Sequence, residues 1–306
     1  MRDIIKPKKL NIGDTIGVLA PSYTMIPERT EYSIKTLENM GFKIKQSKNL
    51  YSAAYGYSGT VEERAEDFNT MFADQTVKML LFGGGEVCNE ILPYIDYELV
   101  KKNPKIVCSY SDSTTILDAL YAKTGLVTFY GASLRTFENI TKYNLNTFKS
   151  RLMSFDKTYE KSGDWRIIRG GKCSGKLIGG YLINFAVMQN SKYFEIDKTD
   201  KNEKYILFIE DHEKFSTPAI VSKYFSHIEQ SGLFECVTGL IFGHYSDDDQ
   251  PLIDEILSRL GKKYEIPVIR NEDFGHGVNN AILPIGISAV LDTDNQTLNF
   301  LESGVI

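Results

Sequence analysis

Hydrophobic and polar positions follow two alternating periods through the first half of the chain. "TIGVLAP" (15–21) is an unbroken apolar run ending in a loop, the pattern of a buried strand. "ERTEYSIKTLENMGF" (28–42) spaces its apolar residues as a helix does, with Leu37, Met40 and Phe42 turned inward. It stops at Gly41, a residue suited to a left-handed C-cap. "KIKQS" predicts a short strand. "TVEERAEDFNTMFAD" (60–74) opens with Thr60 and Glu63 at capping-box spacing, where two side chains satisfy amides that lack intrahelical partners. "VKMLLFGGG" (77–85) predicts a strand that runs into a glycine turn. "KIVCSY" is another strand, followed by a helical pattern through Ile116, Leu117 and Leu120, and "LVTFYG" (126–131) is a further strand. Strand–helix repetition with short connections predicts a parallel sheet covered on both faces. Ligands of such sheets bind at the carboxyl ends of the strands. The polar cluster at 109–112 and the glycines at 83–85 both fall at such ends.

The pattern changes near residue 150. Residues 150–172 are more polar and less periodic and contain the only tryptophan, Trp165. The boundary is placed there, between a domain spanning 1–150 and a second spanning 170–306. The second half is richer in strand: "GKLIGGYL", "KYILFIED", "VTGLIFGHY", "PVIRNEDFGH" and "ISAVLDTDNQTLNFLE". One clear helix, "TPAIVSKYFSHIEQSG" (217–232), carries Pro218 in its first turn, where a missing amide costs nothing.

Composition narrows the function classes. With 306 residues, 42% hydrophobic and 25% charged, the chain can bury two cores. Its net charge of −5 comes without a basic block, so nucleic acid is not an expected partner. The N-terminus lacks the apolar core of a signal peptide, and no run reaches transmembrane length. The expected location is therefore cytoplasmic, with no membrane partner. Cys88, Cys108, Cys173 and Cys236 are scattered, and the four histidines share no ligand spacing, so neither zinc nor another metal is expected.

Candidate chemistry gathers at strand ends. Ser111, in "SYSDS", sits between a strand and a helix that begins near Asp112. A helix N-terminus offers unpaired amides and a partial positive charge, which favour both an alkoxide and an oxyanion. The same placement fits a serine that only caps the helix. A nucleophilic serine needs a base. His276, in "NEDFGHGVNN", lies between two glycines after the strand "PVIR"; His212 and His244 also follow strands, whereas His227 lies mid-helix. An orienting acid is available in Glu210, which with Asp211 ends "YILFIED". Gly83, Gly84 and Gly85 can either turn amides toward a substrate oxygen or simply form a tight turn.

Together, "LNIGDTIGVLAPS", "GTVEERAEDFNTMFAD", "GGGEVCNEILPYIDYELVKKNPKIVCSYSDSTTIL", "KTGLVTFYG", "GKLIGGYL", "ILFIED", "GLFECVTGLIFG" and "NEDFGHGVNNAILPIG" resemble the LD-carboxypeptidase family of serine peptidases, which includes the microcin C immunity peptidases. The resemblance runs through nearly the whole chain. It implies an α/β fold with a flavodoxin-like parallel-sheet N-terminal domain and a smaller β-rich α/β C-terminal domain. It also implies a Ser-His-Glu triad of Ser111, His276 and Glu210, set between the domains, in a homodimer that needs no cofactor. Backbone amides of Asp112 and of the Gly84-Gly85 turn would form the oxyanion hole. Two positions depart from the family pattern. Ser109 replaces a glycine and could crowd the turn before Ser111, and Tyr181 replaces the asparagine of a G-G-N-L segment.

The resemblance implies hydrolysis of the L,D-amide bond to a terminal D-alanine in muropeptides during peptidoglycan recycling. The immunity-type alternative is cleavage of a peptidyl-nucleotide conjugate, for which family members carry a longer, Trp-containing loop before the G-G-N-L segment. Here that region (154–171) is short, with Trp165 as the one candidate for stacking. Arg135, after "YGASL", is a candidate for the terminal carboxylate, because a guanidinium binds carboxylates bidentately. A muropeptide-binding protein without turnover is the alternative of another class.

Overall fold

The computed structural model describes residues 3–196, 203–245 and 250–306. The first half runs β1 (Thr15–Leu19), α1 (Pro27–Asn39), β2 (Lys43–Gln46), α2 (Val61–Ala73), β3 (Val77–Phe82), α3 (Tyr97–Lys102), β4 (Ile106–Ser109), α4 (Thr114–Thr124), β5 (Thr128–Tyr130) and α5 (Lys142–Phe148). The second half runs β6 (Arg166–Arg169), β7 (Lys172–Tyr181), α6 (Leu182–Met188), β8 (Tyr205–Glu210), α7 (Pro218–Gln230), β9 (Val237–Phe242), α8 (Gln250–Lys263), β10 (Val268–Arg270), β11 (Leu283–Ile285), β12 (Ser288–Asp292) and β13 (Thr297–Phe300).

Local chemistry accounts for these elements. Thr60 caps α2, with the reciprocal Thr60–Glu63 bonds both formed. Gly41 has a φ of +93° just beyond α1, as its C-terminal position requires. The strands β3 and β4 are almost wholly buried because helices cover both faces of their sheet. Leu37 and Phe42 are buried as the periodicity predicts, while Met40 is only partly covered.

The first sheet has the order β11-β5-β4-β3-β1-β2, and β1 to β5 are parallel. Read from the other edge this is the 2-1-3-4-5 order of doubly wound flavodoxin-like folds. The second sheet has seven strands, ordered β13-β12-β7-β8-β9-β10-β6, with β7 to β10 parallel at its centre. Two findings extend the sequence reading. The second half contains α6 and α8 besides α7, and α8 buries Ile253, Ile256, Leu257 and Leu260 at helical spacing. In addition, β11 leaves the second half and pairs antiparallel with β5. That strand follows the loop carrying His276, so the loop is tied to the first sheet. Among the described residues no helix is long and apolar enough to cross a membrane.

Candidate active site

The two sheets present their carboxyl ends to one cleft of about 500 Å³. From the first sheet come Tyr23 after β1, Gly83 to Glu86 after β3, and Tyr110 and Ser111 after β4. From the second come Tyr181 at the end of β7, His212, Lys214 and Phe215 after β8, and His276 after β10. This is where parallel sheets accept ligands, since strand ends leave backbone groups and loops free to face a substrate.

Ser111 opens a single 3-10 turn, Ser111–Ser113, that leads into α4. Its φ of +62° places a residue with a Cβ in the left-handed region. Such backbone costs about 1–3 kcal/mol and persists only where surrounding contacts enforce it. Those contacts are visible. The Ser111 amide donates to the Tyr130 hydroxyl at 3.1 Å, and the Ser111 carbonyl accepts from Thr114 Oγ1 at 2.6 Å. Thr114 Oγ1 in turn accepts the Tyr181 amide at 3.0 Å, joining the turn to β7. The buried Asp112 carboxylate accepts from Ser22 Oγ at 2.6 Å, the Cys88 amide at 2.9 Å and Asn184 Nδ2 at 2.8 Å. One side chain thereby ties the loops after β1 and β3 to α6. The Ser111 side chain does not cap the helix: its Oγ lies 2.9 Å from His276 Nε2.

His276 Nδ1 lies 2.8 Å from Glu210 Oε2. Glu210 is fully buried, and its other oxygen accepts from the Tyr130 hydroxyl. Hence Ser111, His276 and Glu210 form one hydrogen-bonded line contributed by both halves. Burial pulls the His276 pKa down, but the charge and hydrogen bond of Glu210, with Asp211 behind it, outweigh that and raise it above the ordinary histidine value. Asp211 is pushed up to about 7, chiefly by burial, against the donation of the His212 amide. His212 packs its ring 4.7 Å from that of His276; burial and this neighbour lower its pKa.

The glycine turn after β3 forms part of the same wall as Ser111. Gly84 and Gly85 line the cleft near Ser111, and a Cβ on Gly85 would stand 2.1 Å from Ser22 Oγ, so only glycine allows that approach. Gly275 does the same beside Glu210: it has a φ of +112°, and its Cβ would meet the Glu210 side chain at 2.9 Å. Arg135 is exposed and lines the cleft, as does Lys214. Arg29, also in the cleft wall, is held in a two-pronged pair with Glu138.

Trp165 is not brought to the cleft. It is buried, and its indole donates to Asp273 Oδ2 at 2.8 Å. Because Asp273 also accepts the Ser162 amide at 2.8 Å, the 154–171 segment anchors the loop that carries His276 instead of offering a stacking surface. The two departures also find places. Ser109 is buried and donates to Ser113 Oγ at 2.9 Å, so its side chain turns toward the start of α4. Tyr181 sets its ring edge-on to His276, with centroids 5.0 Å apart. His227 is exposed on α7, away from the cleft. Among the described residues no cluster of His, Cys, Asp and Glu could hold a metal ion. Sequence reasoning missed Tyr130, Lys214 and Asn184. Tyr130 ends strand β5 and Lys214 follows β8, and their places at strand ends were the available signal.

Residues 16–131 match the LD-carboxypeptidase N-terminal domain model and residues 174–291 the LD-carboxypeptidase C-terminal domain model. This chain belongs to the LD-carboxypeptidase family. It is 31% identical to a protein of Bacillus subtilis named probable murein peptide carboxypeptidase, over 98% of this chain and 95% of that one. It is 30% identical to the Escherichia coli microcin C7 self-immunity protein MccF, over 96% of this chain and 94% of that one. A solved structure of the microcin C7 self-immunity protein with aspartyl sulfamoyl adenosine superposes with a TM-score of 0.86 at 26% identity, covering 99% of this chain and 100% of that one.

Proposed function

We propose that the protein is a serine LD-carboxypeptidase that releases D-alanine from the end of murein-derived tetrapeptides. The observation that carries this reading is the continuous line from Ser111 Oγ through His276 to the buried Glu210, opening into a cleft. Ser111 attacks the carbonyl carbon of the scissile amide while His276 Nε2 takes its proton. Glu210 holds the proton on Nδ1, which leaves Nε2 as the acceptor, and it stabilises the imidazolium. Charge develops on the carbonyl oxygen beside the Asp112 amide, which lies in the first turn, where amides lack an intrahelical partner. The Gly84-Gly85 turn supplies the second amide. Losing one such donor would raise the barrier by about 3 kcal/mol. Collapse breaks the C–N bond, the leaving amine takes the proton from His276, and water attacks the acyl-enzyme by the same route in reverse. Arg135 or Lys214 provides the cation for the free terminal carboxylate, the group that marks a carboxypeptidase substrate.

A second reading follows from the similarity to the immunity protein solved with an aminoacyl sulfamoyl nucleotide: cleavage of a peptidyl-nucleotide amide by the same serine. The burial of Trp165 weighs against nucleobase stacking by that residue. A binding protein without turnover has no need of the hydrogen-bonded line, and the line supports catalysis. Tetrapeptides ending in D-alanine, of the lysine and the diaminopimelate type, distinguish these readings. D-Alanine detected by mass spectrometry with wild type and not with Ser111→Ala is the expected result. Cleavage of an aspartyl-nucleotide amide alone would move the substrate to the second reading, and affinity without any product would leave a binding role.

A further inference from the structure

Tyr130 belongs to neither partner of the proton transfer, yet it touches both ends of the machinery. It is fully buried at the end of β5, its ring packed 5.7 Å from Phe208 of β8. The Ser111 amide donates to its oxygen at 3.1 Å, and its hydroxyl donates to Glu210 Oε1. A phenol has one proton, and its oxygen already receives the amide hydrogen, so that proton points to Glu210. The acid then has one oxygen for Tyr130 and the other for His276. The same arrangement occupies the Ser111 amide, so that it stays out of the oxyanion hole and instead holds the residue in its left-handed conformation.

Resting on the triad reading above, we propose that Tyr130 is a positioning residue. Its hydroxyl couples the backbone of the nucleophile to the carboxylate of the acid, fixing the two halves in register and setting how much of the Glu210 charge reaches His276. Removing the hydroxyl returns that charge to the imidazole, which then holds its proton to higher pH. The other ionisable groups facing His276, namely Asp211, His212, His244 and the phenols of Tyr110 and Tyr181, remain in place.

The test is the rate at which a fluorophosphonate labels the serine, measured from pH 5 to 9. It needs no knowledge of the natural substrate and requires neutral His276. Ser111→Ala gives no labelling if the triad reading holds; labelling that survives this change overturns that reading and the inference with it. Tyr130→Phe keeps the ring. We expect its labelling to fall roughly ten- to a hundredfold, less than the 10²–10⁴ a general base itself supplies. Its acid limb should move up by roughly half a pH unit. An unchanged rate with an unmoved limb overturns the proposal. Since Tyr130→Phe leaves two buried groups unpaired, 3-fluorotyrosine placed at position 130 gives an independent arm. Burial and Glu210 hold this phenol well above its ordinary pKa, so the fluorinated group keeps its proton at neutral pH. Being a stronger donor, it should move the acid limb down. A limb that stays fixed with the fluorinated residue also overturns the proposal.

Discussion

The proposed nucleophile and the proposed base are held by opposite strategies. Ser111 sits at a strand-to-helix junction, where β4, the 3-10 turn and α4 fix the backbone and the Asp112 carboxylate binds three neighbouring groups. His276 sits in an irregular loop between β10 and β11. There the anchoring is done by amides and hydroxyls far apart in sequence. Asn280 Nδ2 donates to the Gly275 carbonyl at 3.0 Å, and Asn280 Oδ1 accepts from Thr136 at 3.0 Å. Asn144 accepts the Asn280 amide at 2.7 Å and donates to the Val278 carbonyl at 3.0 Å. Trp165 and Ser162 hold Asp273 on the other side. The junction can bear a strained φ because regular structure surrounds it, whereas the loop depends on individual side chains. Substitutions beside the serine should therefore act mainly on chemistry, and substitutions beneath the histidine on chemistry and stability together.

The largest effect isolates the junction. Ser111→Ala should lower turnover on the order of 10⁴-fold or more. Its melting temperature should stay close to wild type, because the bonds that hold residue 111 are made by its backbone. A large loss of stability would mean that the side chain, and not the surrounding structure, maintains the strained turn.

Asn280→Ala tests the loop. It removes the bond to Gly275, the residue before His276, and takes away the acceptor of the Thr136 hydroxyl proton. Activity should fall roughly 10²-fold, the cost of a displacement near 1 Å in a reacting group. Stability should fall by about 2 kcal/mol in a denaturant titration. Full activity in a destabilised protein would break the comparison, since His276 would then be positioned without this anchor.

Asp211→Asn probes the charge behind His276. The Asp211 pKa is raised to about 7 in the folded protein, above its unfolded value. The folded state therefore binds more protons than the unfolded state between the two values. Its contribution is fully present below the unfolded pKa and is lost as pH rises through about 7. The asparagine variant should be more stable than wild type at pH 8 by about 1–2 kcal/mol, and this gain should shrink toward pH 4. Thermal melts at the two pH values read this directly; a gain that does not depend on pH would contradict the assignment.

Trp165→Phe gives the smallest effect. It deletes the indole bond to Asp273 and keeps an aromatic ring in the core. We expect a loss of about 1 kcal/mol in stability and a modest fall in kcat, with KM unchanged. A large rise in KM would instead place the indole against substrate.

The order of strands and helices in the first half could be read in the sequence, because a parallel sheet and its covering helices impose local periods. The Thr60 capping box and the turn at Gly41 announce themselves within four residues. The carboxyl-end rule located Ser111 and the glycine turn, and the strand "YILFIED" located Glu210. All three of His276, His212 and His244 follow strands; the setting between Gly275 and Gly277 favoured His276, and the family resemblance matched it to the family's histidine. In space all three are neighbours: His212 touches the His276 ring and His244 contributes to its electrostatics.

By itself, then, the sequence determined the two periods, the strand ends that carry chemistry, the identity of the residues placed there and membership of a peptidase family. Tertiary structure alone decided what those residues meet. The Ser111–His276 bond spans 165 residues, the Tyr130–Glu210 bond 80, and the Trp165–Asp273 bond 108. The transfer of β11 to the first sheet likewise leaves no trace in a three-residue strand. Periodicity reports the face a residue turns toward its own element's neighbours, and so reaches only a few positions along the chain. A hydrogen bond between distant segments depends on where two sheets come to rest, and that position is a property of the packed whole.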